Sequence, residues 1–187
     1  MRLNRTHKLI VAAAAVLSVC LAAGCGSSGS NTTTTGASAT DTWASGVCSS
    51  ITTWQAAVKS AGSSVKSNPS KSSLETAAGD VKSATQMLAS DLKSLGKPDT
   101  PSGQQAKDSL GQLSTSLQQG SASISSAVSG VSSVSDLASA APAVKSTLTT
   151  MQTEIQSTIT DLQGLDAKGE LKDAFASSSD CDSLTSG

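Results

Sequence analysis

Residues 70–96 read SKSSLETAAGDVKSATQMLASDLKSLG. Leu74, Ala78, Val81, Thr85, Leu88, Leu92 and Leu95 recur there at alternating steps of four and three. That period lays one strip of mostly apolar side chains along one face of an α-helix, with Lys, Asp, Ser and Gln opposite. Gly96 follows the strip and suits the left-handed residue that closes many helices. Asn68-Pro69 ends whatever precedes this segment, and Lys97-Pro98-Asp99-Thr100-Pro101 makes a turn after it.

The same period continues on both sides. Upstream, from about Thr42 to Ser67, it runs through Trp43, Val47, Ile51, Trp54, Val58, Ala61 and Val65. Downstream, from about Ser102, it runs through Ala106, Leu110, Leu113, Leu117, Gly120, Ile124, Ala127 and Val131. Gly111, Gly120 and Gly130 weaken that helix, each by about 1 kcal/mol against Ala. A fourth strip comprises Leu137, Ala141, Val144, Leu148, Met151, Ile155, Ile159 and Leu162. Pro142 clashes with the carbonyl four residues back, so a break is expected near residues 139–141, with Pro142 in the first turn of the main helix. A short helix over about Glu170 to Ser177 brings Leu171 and Phe175, and Cys181 follows it.

Leu, Ile, Val and Phe together fall below the ~20% level that warns of disorder, but the high net charge that completes the warning is missing. A disordered Ser-rich chain has no reason to hold the phase of an apolar strip over three heptads. Serine is a mediocre helix former, so burial of the strips must hold the helices. Long helices with short turns pack as antiparallel neighbours. The expected fold is therefore all-α: an up-down-up-down four-helix bundle over residues 42–187 with a short C-terminal helix.

Residues 2–8 (RLNRTHK) are basic and residues 9–23 (LIVAAAAVLSVCLAA) are apolar. The run is too short for a membrane span and right for a signal-peptide core. It ends in Leu21-Ala22-Ala23-Gly24-Cys25, which resembles the lipobox of bacterial lipoproteins, with Ala22 where that motif prefers Leu. The resemblance implies a signal peptide over 1–24, cleavage between Gly24 and Cys25, and lipid on Cys25 that anchors the chain to the extracytoplasmic face of the cell membrane. Residues 25–41, rich in Gly, Ser and Thr, have no apolar period and read as a flexible tether.

Of the four cysteines, Cys20 leaves with the leader and Cys25 takes the lipid. Cys48 and Cys181 remain, and in an oxidising compartment they read as one disulfide. A metal or redox role competes poorly, because no CxxC occurs and the only histidine, His7, lies in the leader. The bundle topology agrees independently, since Cys48 and Cys181 fall at the same end of it.

Once Arg2, Arg5, His7 and Lys8 depart with the leader, the chain has no Arg, no His and no Tyr, and ten Lys face fourteen Asp and Glu. That balance argues against nucleic acid. Without histidine there is no Ser-His-Asp triad, and without arginine no bidentate phosphate clamp. No catalytic set, cofactor site or metal site is legible, and the chain reads as non-enzymatic. A hydrolase working through a Ser-Lys pair or carboxylates is the remote alternative.

Trp43 and Trp54, eleven residues apart, share a helix face and serve either as core anchors or as the aromatic wall of a ligand pocket. Asp180-Cys181-Asp182 reads as an exposed end around the disulfide rather than a calcium site. The small residues Gly120, Ala122, Ala127 and Gly130 mean close helix packing or else a groove for a partner or lipid. The lipobox, the tether, Trp43 to Cys48 and Ala174-Phe175 to Cys181 together resemble the small helical lipoproteins of high-GC Gram-positive bacteria. Two functions are expected to compete. One is a membrane-anchored envelope protein that presents its bundle to a partner protein. The other is a module that binds a lipid or other apolar small ligand between its helices.

Overall fold

The computed structural model describes residues 38–185. The expected leader, Cys25 and the tether as far as residue 37 lie outside the described residues. The rest folds as six helices: α1 (Ala39–Ser67), α2 (Lys71–Ser94), α3 (Gly103–Ser129), α4 (Val134–Gly164), α5 (Glu170–Ser177) and α6 (Ser179–Thr185). The four long helices span 24 to 31 residues, or about 35–45 Å each. They alternate in direction, and each packs along the next in sequence.

Three helices begin on reciprocal caps, each of which satisfies backbone donors that a helix start leaves free. Ser38 accepts from the backbone N–H of Asp41, whose carboxylate accepts from the N–H of Ser38 at 2.8 Å. The pairs Ser70–Ser73 and Ser133–Asp136 do the same for α2 and α4. Because of its cap, α1 starts at Ala39, inside the stretch read as tether. The N–H of Ser132, then the hydroxyl and N–H of Ser133, hold the Asp136 carboxyl below its ordinary range. Gly96 takes φ +68° just beyond α2, as its place after the strip requires.

Serine and threonine hydroxyls inside the helices largely turn back on their own backbone. Ser50 donates to the Gly46 carbonyl, Ser63 to Lys59, Ser123 to Gln119 and Thr149 to Lys145, all at 2.8–3.0 Å. The hydroxyls are thereby satisfied without leaving the helix surface, so a Ser-rich sequence carries long helices once one face is buried.

The buried faces match the expected strips closely on α1 and α2. Trp43, Val47, Ile51, Trp54, Val58 and Ala61 are buried, as are Leu74, Ala78, Val81, Thr85, Leu88 and Leu92. On α3 and just beyond it, Ile124 and Val131 are buried as their spacing implies, but two other positions of the strip beyond Leu117 move by one. Ser121 and Val128 are buried, while Gly120 and Ala127 are only half-buried. A straight helix drifts against a strict heptad, so contact moves to the next position along.

Two expectations for the C-terminal third are corrected. There is no break before Pro142: α4 runs through it, and Pro142 lies nine residues into the helix. Pro142 and Ala138 are both exposed. The carbonyl that loses its partner therefore faces solvent, where water replaces the missing N–H at little cost. The single short C-terminal helix expected is two: Cys181 follows α5 but sits inside an additional helix, α6.

At one end of the bundle everything closes. Cys48 and Cys181 are joined in a disulfide with their Cα atoms 5.1 Å apart. Trp43 meets Phe175 edge-on, with ring centroids 6.0 Å apart, and its Nε1 donates to the Gly96 carbonyl at 3.3 Å. The Ser102 hydroxyl donates to the Leu165 carbonyl at 2.8 Å, tying the turn before α3 to the end of α4. Ser45 on α1 donates to Asp180 on α6 at 2.6 Å.

Candidate functional site

The order of packing leaves one seam of the bundle incomplete. α1 packs on α2, α2 on α3 and α3 on α4, but α1 and α4 do not pack closely on each other. At the disulfide end α5 wedges between them, touching both, and α6 lies against α1. Leu171 and Phe175, buried to about 1% or less, fill the space there. Among the described residues no element does this at the other end, where α1 finishes and α4 begins.

Side-chain size sharpens the difference. Near the disulfide the interior holds Trp43 and Phe175, and Trp54 fills the middle of the bundle. Toward the far end α1 offers Val58, Ala61, Gly62 and Val65, and α2 offers Leu74, Ala77, Ala78 and Val81. Side chains this small cannot bridge from α1–α2 across to α4. The first half of α4 is less deeply covered: Leu137, Val144 and Leu148 are half-buried against the core, whereas Met151, Ile155, Ile159 and Leu162 farther along are buried to 3% or less.

The result is a cavity of about 450 Å³ between α1, α2, α3 and α4, within the range typical of small-molecule sites. Ile124 and Val128 of α3 contribute with α2 to its apolar lining. α4 lines it with Ala141, Val144 and Leu148, three positions at helical spacing, and with Lys145, Thr149 and Gln152 beside them. Lys145 is the one charged residue of the lining. It is exposed, so it sits at the mouth. The Lys71–Glu75 ion pair at 3.8 Å does not involve Lys145, and among the described residues no carboxylate pairs with Lys145.

Neither tryptophan lines this cavity. Trp54 is 1% exposed, and its Nε1 donates at 3.0 Å to Thr85 Oγ1, which donates in turn to the Val81 carbonyl. Trp43 is held by Phe175 and Gly96 at the closed end. Both rings act as core anchors with their polar atoms satisfied. The small residues of α3 divide. At Gly120 a Cβ would come within 2.8 Å of Met151, so the close-packing reading holds there. Ala122 and Gly130 are exposed and pack against nothing buried.

Other depressions are smaller in apolar lining, and one of them, between α2 and α3, has Ala89, Leu92 and Leu110 beside Lys93 and Lys107. A further one is polar. Glu154 and Asp161 share it with Ser109 and Ser157, and no hydrogen bond joins either carboxylate to a serine hydroxyl. Among the described residues no cluster of His, Cys, Asp and Glu could hold a metal, and no helix is long and apolar enough to cross a membrane. The sequence signal for the cavity was present in Ala61-Gly62, Ala77-Ala78 and Ala141. These positions keep the apolar period but lose volume, all at one end of the bundle.

The chain matches no protein-family model, no curated protein and no solved structure.

Proposed function

We propose that this chain is an extracytoplasmic lipoprotein, anchored through lipid on Cys25, whose helical domain binds an apolar small molecule. The observation that carries this reading is the apolar cavity at the end of the bundle remote from the disulfide. Burying apolar surface there is favourable at roughly 25 cal/mol per Å². The rigid closed end supports an open end that can hold a ligand without collapse of the fold. The lipobox resemblance and the Ser/Thr-rich stretch support the anchoring. By this reading the tether enters the domain at Ser38, at the closed end, and leaves the cavity at the other.

A protein-docking role has less to support it. Stable protein interfaces centre on apolar or aromatic anchors, and among the described residues the one large hydrophobic side chain that is exposed is Met87, at 59%. No catalytic step is proposed.

Native mass spectrometry of the lipidated protein, extracted from the membranes of cells that make it, tests the reading. The expected result is a fraction carrying one additional small molecule, lost in the Ala78→Phe variant, which fills the cavity. Bare protein in both preparations, or equal loading of both, contradicts it.

A further inference from the structure

The cavity's walls are apolar but its mouth is not, and the charge at that mouth has one sign. Lys145 lines the cavity, is exposed and has no carboxylate partner among the described residues. Thr149 and Gln152, one and two turns further along α4, line it too. The Thr149 hydroxyl is turned onto the Lys145 carbonyl, which leaves the Gln152 amide and the Lys145 ammonium to meet a ligand.

Charge along the whole bundle points the same way. The half that contains the cavity, residues 54–82 and 117–149, carries Lys59, Lys66, Lys71, Lys82 and Lys145 against Glu75, Asp80 and Asp136. The disulfide half carries Lys93, Lys97, Lys107, Lys168 and Lys172 against eleven carboxylates, from Asp41 through Asp182. An acidic chain thus has a locally basic end, and its hollow opens at that end. Such a field favours an anionic group there and disfavours it at the other end.

Resting on the binding role proposed above, we infer that the ligand is a single acyl chain with an anionic head group, the chain lying among Val58, Val81, Val144 and Leu148 and the head held at Lys145. Size is compatible with one chain: the cavity, about 450 Å³, lies toward the lower end of the range of small-molecule sites. A carboxylate on a free fatty acid and a phosphate on a single-chain glycerolipid offer the same anionic chemistry to Lys145.

The test uses the full-length chain in nanodiscs of neutral phosphatidylcholine. Three photoreactive probes share one 16-carbon diazirine chain: the fatty acid, the corresponding alcohol and the lysophosphatidate. Cross-linked peptides are mapped by mass spectrometry. The expected result is labelling on α1, α2 and the first half of α4, about fivefold stronger for one or both anions than for the alcohol. Lys145→Ala should remove that preference and Lys145→Arg should keep it. The stronger of the two anions identifies the source of the head group. Alcohol labelling equal to both anions, or a preference that survives Lys145→Ala, overturns the inference while the binding reading stands. If no probe labels these helices, both fall.

Discussion

Trp54 Nε1 donates to Thr85 Oγ1 at 3.0 Å in the middle of the α1–α2 seam, and both residues are about 1% exposed. Thr85 is the one polar residue in the strip from Leu74 to Leu95, where a leucine would keep the pattern. Its hydroxyl lets the largest side chain of the core be buried without an orphaned N–H. Replacing Thr85 with Val preserves shape and removes the acceptor, which should cost about 1–3 kcal/mol. Thr85→Ser keeps the hydroxyl and should cost about 1 kcal/mol for the lost methyl. Chemical denaturation followed by tryptophan fluorescence checks the order of the two; Thr85→Val as stable as Thr85→Ser would contradict it.

Two glycines of α3 should respond in opposite directions to alanine. At Gly120 a Cβ would lie 2.8 Å from both Cγ and Sδ of Met151 on α4, so Gly120→Ala forces the helices apart or Met151 out of place, at about 1–3 kcal/mol. At Gly111 a Cβ meets nothing within 4 Å. Gly111→Ala therefore only restricts the unfolded chain and should stabilise by about 0.5–1 kcal/mol. Urea unfolding monitored by circular dichroism gives both values, and like signs for the two would contradict the α3–α4 packing.

Pro142 lies exposed inside α4, where it removes one backbone hydrogen bond. Pro142→Ala restores the donor to the Ala138 carbonyl at the expense of a freer unfolded chain. The net gain should be about 1–2 kcal/mol, a rise in Tm of roughly 3–6 °C. Differential scanning calorimetry reads it directly, and a lowered Tm would mean that α4 needs the proline.

The Cys48–Cys181 disulfide closes a separation of 133 residues and pins α6 to α1. By the chain-entropy account such a loop contributes at most about 5 kcal/mol. Incubation with a phosphine reductant should lower the thermal midpoint markedly. Before reduction, neither Cys48 nor Cys181 should react with a maleimide in the folded or the denatured chain. Ready alkylation of either thiol without reductant would contradict the bridge.

The architecture was largely legible because the apolar period is a direct image of burial. Leu74 to Leu92 and Trp43 to Ala61 are buried where their spacing put them, Gly96 takes the left-handed conformation its place implies, and Cys48 meets Cys181. The misreadings have local causes. The Ser38–Asp41 cap lies in a Ser/Thr-rich stretch whose composition reads as tether. Pro142 was given the cost of a buried helix interior although its partner carbonyl faces water. The slip from Gly120 to Ser121 reflects helix drift, which a strict heptad does not track. α6 is short, and its Asp-Cys-Asp start has no apolar period to announce it. The cavity was least legible of all. Val58, Val81, Val144 and Leu148 were all identified as strip residues, but periodicity states which face is apolar and not whether another helix covers it. That depended on α5 filling the α1–α4 gap at one end only.

The central claim is that the α1–α4 gap admits an apolar chain at the end away from the disulfide. It is tested most directly by titrating dodecanoate into methyl-labelled protein and following the carbon–proton NMR spectrum. The methyl signals of Val58, Val81, Val144 and Leu148 should shift in saturable fashion while those of Leu113 and Leu171, deep in the closed half, stay in place. Signals at all these positions that do not move, or that move together, would contradict it.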